Sequence, residues 1–359
     1  MQFDDELAPW IYLSLVPGLG GQAFRALLAE FGLPQHVLGA TGARLAQVVP
    51  EPLAARIHTA QRELSPAITQ TLAWLAQPGH GAITLADSDY PGSLMQIGDP
   101  PPLLFIQGDR KLMSAPSIAV VGSRNATPQG QANAESFARV LSEAGFPIVS
   151  GLALGIDTAA HRGGLAGRGS TIAVLGCGAD IVYPRRNAAL FAEIAARGTI
   201  VSEFPIGTAP QSNNFPRRNR LISGLARGCL IVEAAIASGS LITARLAAEQ
   251  GREVFAIPGS IHSPLSRGCH ALIKQGAKLV ECAQDMMEEL GVEMQPALSH
   301  KVSRSSNELL QHMGYDPCTI DALAERVGLT ASAVSAMLLR LELEGKVSSL
   351  SGGLYQRHA

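Results

Sequence analysis

Residues 117–124 read Ser-Ile-Ala-Val-Val-Gly-Ser-Arg, a run of apolar residues that ends in two small residues and a cation. Apolar side chains at consecutive positions are typical of a strand that is buried on both faces of a parallel sheet. The small residues after it would let a ligand's phosphate approach the backbone N–H groups where the next helix begins. A tight turn without a ligand explains the same residues equally well, so Gly122, Ser123 and Arg124 are candidates for an anion site.

Five more short apolar runs follow this stretch, and a segment of helix length comes after each of them. Strands that alternate with helices in this way are typical of a doubly wound α/β domain with a mostly parallel sheet. We place this domain at residues 76–290. Ligands of such sheets bind where the carboxyl ends of the strands meet the first turns of helices, so we expect the functional residues there. The five runs are residues 146–149, 171–175, 199–201, 229–232 and 253–257.

Helical patterns flank this domain on both sides. Residues 1–75 repeat apolar side chains at helical spacing, and Pro-Gly-Leu-Gly at 17–20 indicates a helix-hairpin-helix or SAM-like arrangement. Residues 291–305 predict a polar linker, and residues 306–359 predict three helices and a hairpin, the outline of a winged helix. The first 75 residues carry six acids and four bases, and residues 301–359 carry six of each. Contact with protein or with DNA therefore stays open for residues 1–75. For the winged helix, weak DNA contact or protein contact is favoured over base reading.

The overall composition excludes several classes of protein. The chain is 47% apolar and 16% charged, which excludes a disordered chain, and its formal charge of -2 provides no global basic field. Five cysteines have no metal-ligand spacing, and the first residues are acidic where a signal peptide would be basic. Every run of 18 residues contains a charge, Pro or Gly. The sequence predicts a soluble cytoplasmic protein with no metal, no cofactor and no membrane span.

A second candidate site lies in residues 213–221, which read Asn-Asn-Phe-Pro-Arg-Arg-Asn-Arg-Leu. The proline suits the first turn of a helix, where Arg217, Arg218 and Arg220 would crowd the positive end of the helix dipole. This crowding is unfavourable unless an anion lies between the arginines. A network of structural ion pairs would instead need acids, and residues 204–232 contain none. We therefore favour an anion at this helix over an ion-pair network.

Loops of small residues extend this candidate site along the same edge of the predicted sheet. Several such loops, together with arginines, fit the phosphate backbone of a polymer better than a single small phosphate. Phe215 beside the arginines could stack on an unpaired base, as aromatic residues of single-strand binders do. The predicted DNA- or phosphate-binding residues are Gly122, Ser123, Arg124, Ser150, Gly151, Phe215, Arg217, Arg218, Asn219, Arg220, Ser238, Gly239 and Ser240.

The motifs of common enzymes are missing from the sequence. The G-x-G-x-x-G spacing of dinucleotide enzymes, the G-x-x-x-x-G-K-[ST] of P-loop NTPases and the G-x-S-x-G of α/β hydrolases do not occur. We interpret Asp157 as a helix N-cap and His161 as a packed or hydrogen-bonded histidine. The sequence therefore predicts no catalytic residues.

The order of these motifs closely resembles the DNA-processing protein A family, called DprA or Smf. The resemblance is dense over residues 80–285 and looser in the flanking domains. It implies a Rossmann-like core for the α/β domain. The motifs that carry it are Val120–Arg124, Ser150–Asp157 with His161, Tyr183-Pro184, Ser202-Glu203, Phe215–Arg220, Glu233-Ala234, Ser238–Ser240 and Arg252–Gly259.

The resemblance also implies a function. It implies a protein that binds and protects single-stranded DNA and loads RecA recombinase onto it during natural transformation, without catalysis. It further implies a homodimer formed through the Rossmann-like domain. The DNA-contacting arginine of Gly-Ser-Arg corresponds to Arg124, and the Phe-Pro-x-Arg-Asn-Arg segment corresponds to Phe215, Arg218 and Arg220. Some relatives carry a DNA-contacting lysine where this chain has Leu154, which weakens any expectation of charge in that loop.

Two competing functions follow from parts of the chain. The α/β core also resembles nucleotide phosphoribohydrolases, which would be small-molecule enzymes. Those proteins carry Pro-Gly-Gly-x-Gly-Thr before a catalytic glutamate, whereas residues 238–241 here read Ser-Gly-Ser-Leu. A transcription factor that uses the C-terminal winged helix is disfavoured by the neutral charge of that segment.

Overall fold

The computed structural model describes residues 7–63, 65–291, 309–310, 312–313, 318–327, 331–350 and 353–357. The chain divides into two compact units, Met1–Glu293 and Met294–Ala359. Among the described residues, no helix combines the length and the apolar character needed to cross a bilayer.

The first unit begins with six helices, which confirms the prediction of a helical N-terminal region. Val16 to Gly20 form the turn between the first two helices, and Gly18 adopts a φ of +86° that a side chain would disfavour. Buried residues of these helices, including Trp10 and Phe24, share one apolar cluster with Phe105 of the sheet. The helices are α1 (Ala8–Leu15), α2 (Gly21–Phe31), α3 (Pro34–Gly39), α4 (Gly42–Leu45), α5 (Glu51–Glu63) and α6 (Ser65–Leu75).

A nine-stranded sheet forms the centre of this unit, in the order β1-β2-β6-β5-β4-β3-β7-β8-β9. All six predicted strands are present as β3 to β8, and neighbours among them pair in parallel, so the doubly wound prediction is confirmed. The strands are β1 (His80–Thr84), β2 (Leu103–Gly108), β3 (Ser117–Val121), β4 (Ile148–Ser150), β5 (Thr171–Val174), β6 (Thr199–Ser202), β7 (Ala226–Ile231), β8 (Glu253–Ala256) and β9 (Lys278–Leu279).

Three strands of this sheet were not predicted. β1 and β2 pair antiparallel, and β2 continues the sheet antiparallel to β6. β9 has two exposed residues at the opposite end of the sheet. β1 and β9 contain no run of four apolar residues. β2 contains one at residues 103–106, but it directly follows three prolines at 100–102, which are typical of a connection.

Helices cover both faces of the sheet because side chains of successive strand residues point to opposite faces. Ala119 and Val121 belong to one buried cluster together with Leu221, whereas Ile118 and Val120 belong to another together with Phe137. The helices are α7 (Gly92–Met95), α8 (Pro128–Glu143), α9 (Ile156–Ala166), α10 (Ala188–Arg197), α11 (Asn214–Leu225), α12 (Ser240–Glu249), α13 (Arg267–Lys274) and α14 (Ala283–Glu289).

The second unit has the predicted winged-helix architecture. Its elements are β10 (Cys318–Thr319), α15 (Ile320–Val327), α16 (Ala331–Leu343), β11 (Val347–Leu350) and β12 (Leu354–Arg357), with β12 between β10 and β11 in the sheet. β10 was not predicted. Apart from Gly291, the predicted linker lies outside the described residues, as does most of the first of the three predicted helices.

Candidate nucleic-acid interface

A pocket of about 200 Å³ lies at the carboxyl ends of β3, β4 and β5, beside the first turn of α11. We call it the site pocket. Parallel strands deliver their following loops to one edge of a sheet, which is why residues far apart in sequence meet here. Its lining residues are Arg124, Gly151, Ala153, Leu154, Leu175, Gly176, Cys177, Tyr183, Pro184, Phe215 and Arg218.

The aromatic part of the site pocket consists of Phe215 and Tyr183. Their ring centroids lie 5.5 Å apart with an interplanar angle of 31°. A Cβ atom on Gly176 would lie 2.7 Å from Cδ1 of Phe215, so the ring packs directly on that glycine backbone. Phe215 is half-buried and Tyr183 is 44% exposed. The two rings therefore provide an aromatic surface at the edge of the sheet.

Arg124 is the exposed cation of the site pocket. Its guanidinium carbon lies 5.7 Å from the centroid of the Phe215 ring, within the range of a cation–π contact. The loop that carries it is held firmly, because the Ser123 N–H donates to the Glu233 carbonyl at 2.7 Å. A Cβ atom on Gly122 would lie 2.7 Å from the Ile156 side chain, so only glycine fits there.

Glu233 stabilises the start of α8. Its carboxylate accepts hydrogen bonds from the backbone N–H of Thr127 at 2.9 Å and from the Thr127 hydroxyl at 2.6 Å. That hydroxyl in turn accepts the N–H of Gly130, as an N-cap side chain does. Both oxygens of the carboxylate are thus engaged in holding the loop after β3, which is a structural role.

Arg218 forms the floor of the site pocket and is almost fully buried. It donates hydrogen bonds to the carbonyl of Gly151 at 2.8 Å and to the carbonyl of Val174, and so joins the loops after β4 and β5. Burial lowers the pKa of its guanidinium to about 10, while the nearby Asp157 carboxylate opposes that shift. Arg218 is therefore charged at neutral pH, and its main-chain contacts shape the pocket.

Arg220 corrects the expectation that these arginines lack acidic partners. Two of its nitrogens lie 2.7 and 3.0 Å from the carboxylate oxygens of Glu203, and its Nε lies 3.1 Å from Asp99. Glu203 also accepts a hydrogen bond from Arg217 at 3.2 Å. The side chains of Arg220 and Glu203 are only 10% and 2% exposed. The ion-pair network that the sequence disfavoured is thus present.

Ser150 also lies away from the surface. Its buried hydroxyl donates to the carbonyl of Val120 at 2.7 Å, so it links β4 to β3. The N–H of the next residue, Gly151, donates to the carboxylate of Asp157 at 3.1 Å. Of this predicted pair, only Gly151 lines the site pocket.

Asp157 is not the N-cap that the sequence suggested. It is the second residue of α9, whose N-cap is Gly155, and its carboxylate accepts N–H groups from Gly151 and Ala153. Burial raises the pKa of this carboxyl, and the charge of Arg218 opposes the increase. Asp157 therefore organises the loop that precedes its own helix.

His161 is the packed, hydrogen-bonded histidine that the sequence indicated. It is fully buried, its Nε2 accepts the N–H of Leu152 at 3.2 Å, and its Nδ1 lies 2.7 Å from the hydroxyl of Thr171. Because that hydroxyl donates to the carbonyl of Ile148, it accepts from Nδ1–H, and this arrangement requires the neutral imidazole. Burial lowers the pKa of His161 to about 3.

The loop of Ser238, Gly239 and Ser240 lies beside the second turn of α11 and outside the lining of the site pocket. The Asn219 side chain donates to the carbonyl of Gly239 at 3.5 Å. Gly239 is exposed, and the hydroxyls of the two serines lie 2.7 Å apart. The fold thus brings Asn219 to this loop, close to the point where the strand order reverses between β3 and β7.

Tyr183 is the site residue that sequence reasoning missed. Its signal was present, because Tyr183-Pro184 was among the motifs that carried the family resemblance, but nothing local connects it with Phe215. Among the described residues, no group of three or more His, Cys, Asp and Glu side chains could hold a metal ion.

Comparison with known proteins extends these observations. A family model described as DNA recombination-mediator protein A matches residues 81–291, and a model of the DprA winged helix domain matches residues 294–353. The chain is 43% identical to Protein Smf of Escherichia coli (strain K12) over 312 residues, 83% of each chain. It is 48% identical to DNA processing protein DprA of Streptococcus pneumoniae over 208 residues, 58% of this chain and 73% of that protein.

Two solved structures are similar to this chain over most of their length. DNA processing protein A of Streptococcus pneumoniae matches with a TM-score of 0.71 and 38% identity, over 80% of this chain and 98% of that one. DNA processing protein A of Helicobacter pylori, described for its single-stranded DNA binding mode, matches with a TM-score of 0.54 and 32% identity, over 59% of this chain and 95% of that one. Sequence, family models and fold agree, and the chain belongs to the DNA recombination-mediator protein A family, which includes DprA and Smf.

Proposed function

We propose that this protein binds single-stranded DNA at the site pocket and acts there without catalysis. The observation that carries this proposal is the pairing of Phe215 with Tyr183 under the exposed cation Arg124. An aromatic surface next to a guanidinium fits a nucleotide, because a base can stack while its phosphate is neutralised. The description of the Helicobacter pylori relative supports the same ligand.

The preference for single strands follows from the same geometry. A base in a duplex is stacked and paired, and it exposes no face to an aromatic ring. Each base–aromatic stack contributes roughly 1–3 kcal/mol, so one stack should give a preference of roughly fivefold to 150-fold for single-stranded over double-stranded DNA. A major groove takes a helix or a two-stranded ribbon with base-reading side chains. Among the described residues that line the site pocket, only Phe215 and Arg218 lie on a helix, and Arg218 is buried.

Replacing Arg124 by Ala tests the phosphate contact. Binding of an oligothymidylate should weaken, and the slope of log K against log salt should flatten by roughly 0.7, as for one lost phosphate contact on a single strand. Arg139 is a matched control, because it is also an exposed arginine but lies in the middle of α8. Equal affinity and salt slope for Arg124→Ala and Arg139→Ala would refute the assignment of Arg124.

Replacing Phe215 by Ala tests the stacking contact. We expect the preference for single strands to shrink while the salt dependence stays close to that of the wild type. Because Phe215 is half-buried, the melting temperature of the variant must be measured alongside both affinities. A variant that keeps its full preference for single strands would exclude stacking on this ring.

We further propose that the protein loads RecA recombinase onto the bound strand during natural transformation. This step rests on membership of the family and on the expected preference for single strands. Strand exchange by purified RecA, on DNA coated with a single-strand-binding protein, should accelerate when this protein is added. Arg124→Ala should reduce that acceleration, and no acceleration by the wild type would refute a loading role.

The proposed homodimer would form through the α/β domain. β9 is the last strand of the nine-stranded sheet, and its Leu279 is 44% exposed. An exposed edge strand with an apolar residue is suited to pairing with a second copy. Leu279→Lys should convert the dimer into a monomer in sedimentation experiments, and a wild-type monomer at micromolar concentration would contradict the proposal.

We also propose that the protein is cytoplasmic, in keeping with its five free cysteines.

A further inference from the structure

A second and larger cavity, of about 540 Å³, lies between α2 and α11. Gln22 and Arg25 of α2 line it, together with Asp99 and with Arg217 of α11. We call it the α2–α11 cavity. It differs from the site pocket in that it joins the N-terminal helices to the helix that carries Phe215.

The wall of this cavity carries an excess of positive charge. Arg25 pairs with Asp99, Asp99 with Arg220, Arg220 with Glu203, and Glu203 with Arg217. This chain of ion pairs contains three cations and two anions, so its net charge is +1. An anion entering the cavity would balance the remaining charge.

Arg217 is the member of this network that is best placed to meet a ligand. Its side chain is 46% exposed, whereas that of Arg220 is 10% exposed. The bond to Glu203 engages one nitrogen, and a guanidinium carries five N–H donors. The guanidinium carbon also lies 5.4 Å from the centroid of the Phe204 ring, which holds the side chain in place. Arg217 therefore offers preoriented donors at the cavity wall.

The two cavities lie on different sides of the same helical turn. Phe215 and Arg218 line the site pocket, and Arg217 lines the α2–α11 cavity. Residues two positions apart on an α-helix point about 200° apart around its axis. A strand that leaves the site pocket and passes over the first turn of α11 would therefore reach the α2–α11 cavity next.

We propose that the α2–α11 cavity is a second subsite for the DNA backbone, which binds a phosphate of the same strand and extends the binding surface onto the N-terminal helices. This inference rests on the proposed binding of single-stranded DNA at the site pocket. It assigns a nucleic-acid contact to a region whose sequence carries more acids than bases.

Gln22 allows a test that leaves every side chain of the ion pairs in place, because it takes part in none of them. It is exposed, lines the cavity and occupies the second position of α2, where an acidic side chain stabilises the helix. Gln22→Glu should therefore fold normally while repelling a phosphate, and Gln22→Lys should attract one. Gln35→Glu is a matched control, since Gln35 is exposed and occupies the second position of α3 but does not line the cavity.

The experiment measures the affinity of the full chain for oligothymidylates of about 4 and about 16 nucleotides, a range that single-strand sites commonly span. Gln22→Glu should weaken binding of the longer strand roughly fivefold at low salt and leave the shorter strand unchanged. Gln22→Lys should strengthen binding of the longer strand by a similar factor, and Gln35→Glu should match the wild type.

The outcomes separate the two proposals. If the wild type binds both strands and Gln22→Glu binds the longer one as tightly as Gln35→Glu does, the second subsite is refuted while the site pocket stands. An equal loss of affinity for both strand lengths would also refute it, because a subsite that extends the binding surface should affect only the longer strand. If the wild type binds neither strand, the proposed function itself fails.

Discussion

At the scale of single residues, the predicted DNA-binding arginines have different roles. Arg220→Ala should lower the free energy of unfolding by about 3–5 kcal/mol, because it leaves the buried Glu203 carboxylate without its main partner. Arg124→Ala should change it by less than about 0.5 kcal/mol, since Arg124 is exposed. Urea unfolding of both variants checks this contrast. Equal stability of the two variants would mean that the Arg220 ion pairs contribute nothing.

His161 provides a prediction about pH. The unfolded imidazole binds a proton near pH 6.5, whereas the folded one does so only near pH 3, because it is buried. Since the unfolded state takes up more protons as the pH falls, the wild type should lose about 2 kcal/mol between pH 7 and pH 5 from this group alone. His161→Gln should be less stable at pH 7 but should lose less on acidification. Parallel stability curves for the two proteins would contradict this account.

At the scale of elements, the aromatic part of the site pocket depends on how closely α11 approaches the loop after β5. Gly176→Ala would place a methyl group 2.7 Å from the Phe215 ring, so the ring must move. We expect a loss of about 1–3 kcal/mol in stability, as in other overpacked sites, and a clear loss of affinity for single strands. Gly42→Ala in α4 is the control, because nothing lies within 4 Å of its added Cβ. Unchanged oligothymidylate binding by Gly176→Ala would show that the ring position does not matter.

The elements also explain how far the sequence could predict the fold. β3 to β8 were predicted because each is a short apolar run followed by a helical segment. Such a run is typical of a strand that is buried on both faces of a sheet. The pairing of β1 with β2 was not predicted, because it depends on packing against the N-terminal helices, which a local pattern does not contain. The role of Arg218 was missed for the same reason, since its partners Gly151 and Val174 follow or end other strands. Asp157 was misassigned for a local reason, because its carboxylate accepts N–H groups of the loop before α9 and does not cap the helix.

At the scale of the whole molecule, the division into two compact units indicates that the first unit can bind DNA without the second. A chain that ends after Glu293 should remain folded and should bind single-stranded DNA within a factor of about three of the full chain, because residues 301–359 carry no net charge. Circular dichroism and an oligothymidylate titration of the truncated protein check this expectation. A loss of binding in a folded truncated protein would move the main site to the winged helix.

The same scale explains the wrong expectation about acidic partners. The stretch 204–232, which contains no acid, begins one residue after Glu203. Asp99 precedes Arg220 by 121 residues. No local search could pair Asp99 with an arginine, because that contact exists only after the N-terminal part of the chain has joined the sheet. The site pocket was easier to predict, since the topology of parallel strands brings the loops after them to one edge.

The first turns of α11 have a consequence for genetic screens. Phe215, Arg217 and Arg218 line cavities, and Arg218 and Arg220 hold neighbouring parts of the protein together, so substitutions at these four positions should reduce the amount of folded protein, its affinity, or both. A screen scored only on recombinant colonies would report all four positions as essential and would not separate the causes. Measuring protein abundance in the same library would distinguish them, because changes at Arg220 should deplete the protein whereas Arg217→Gln should leave it abundant.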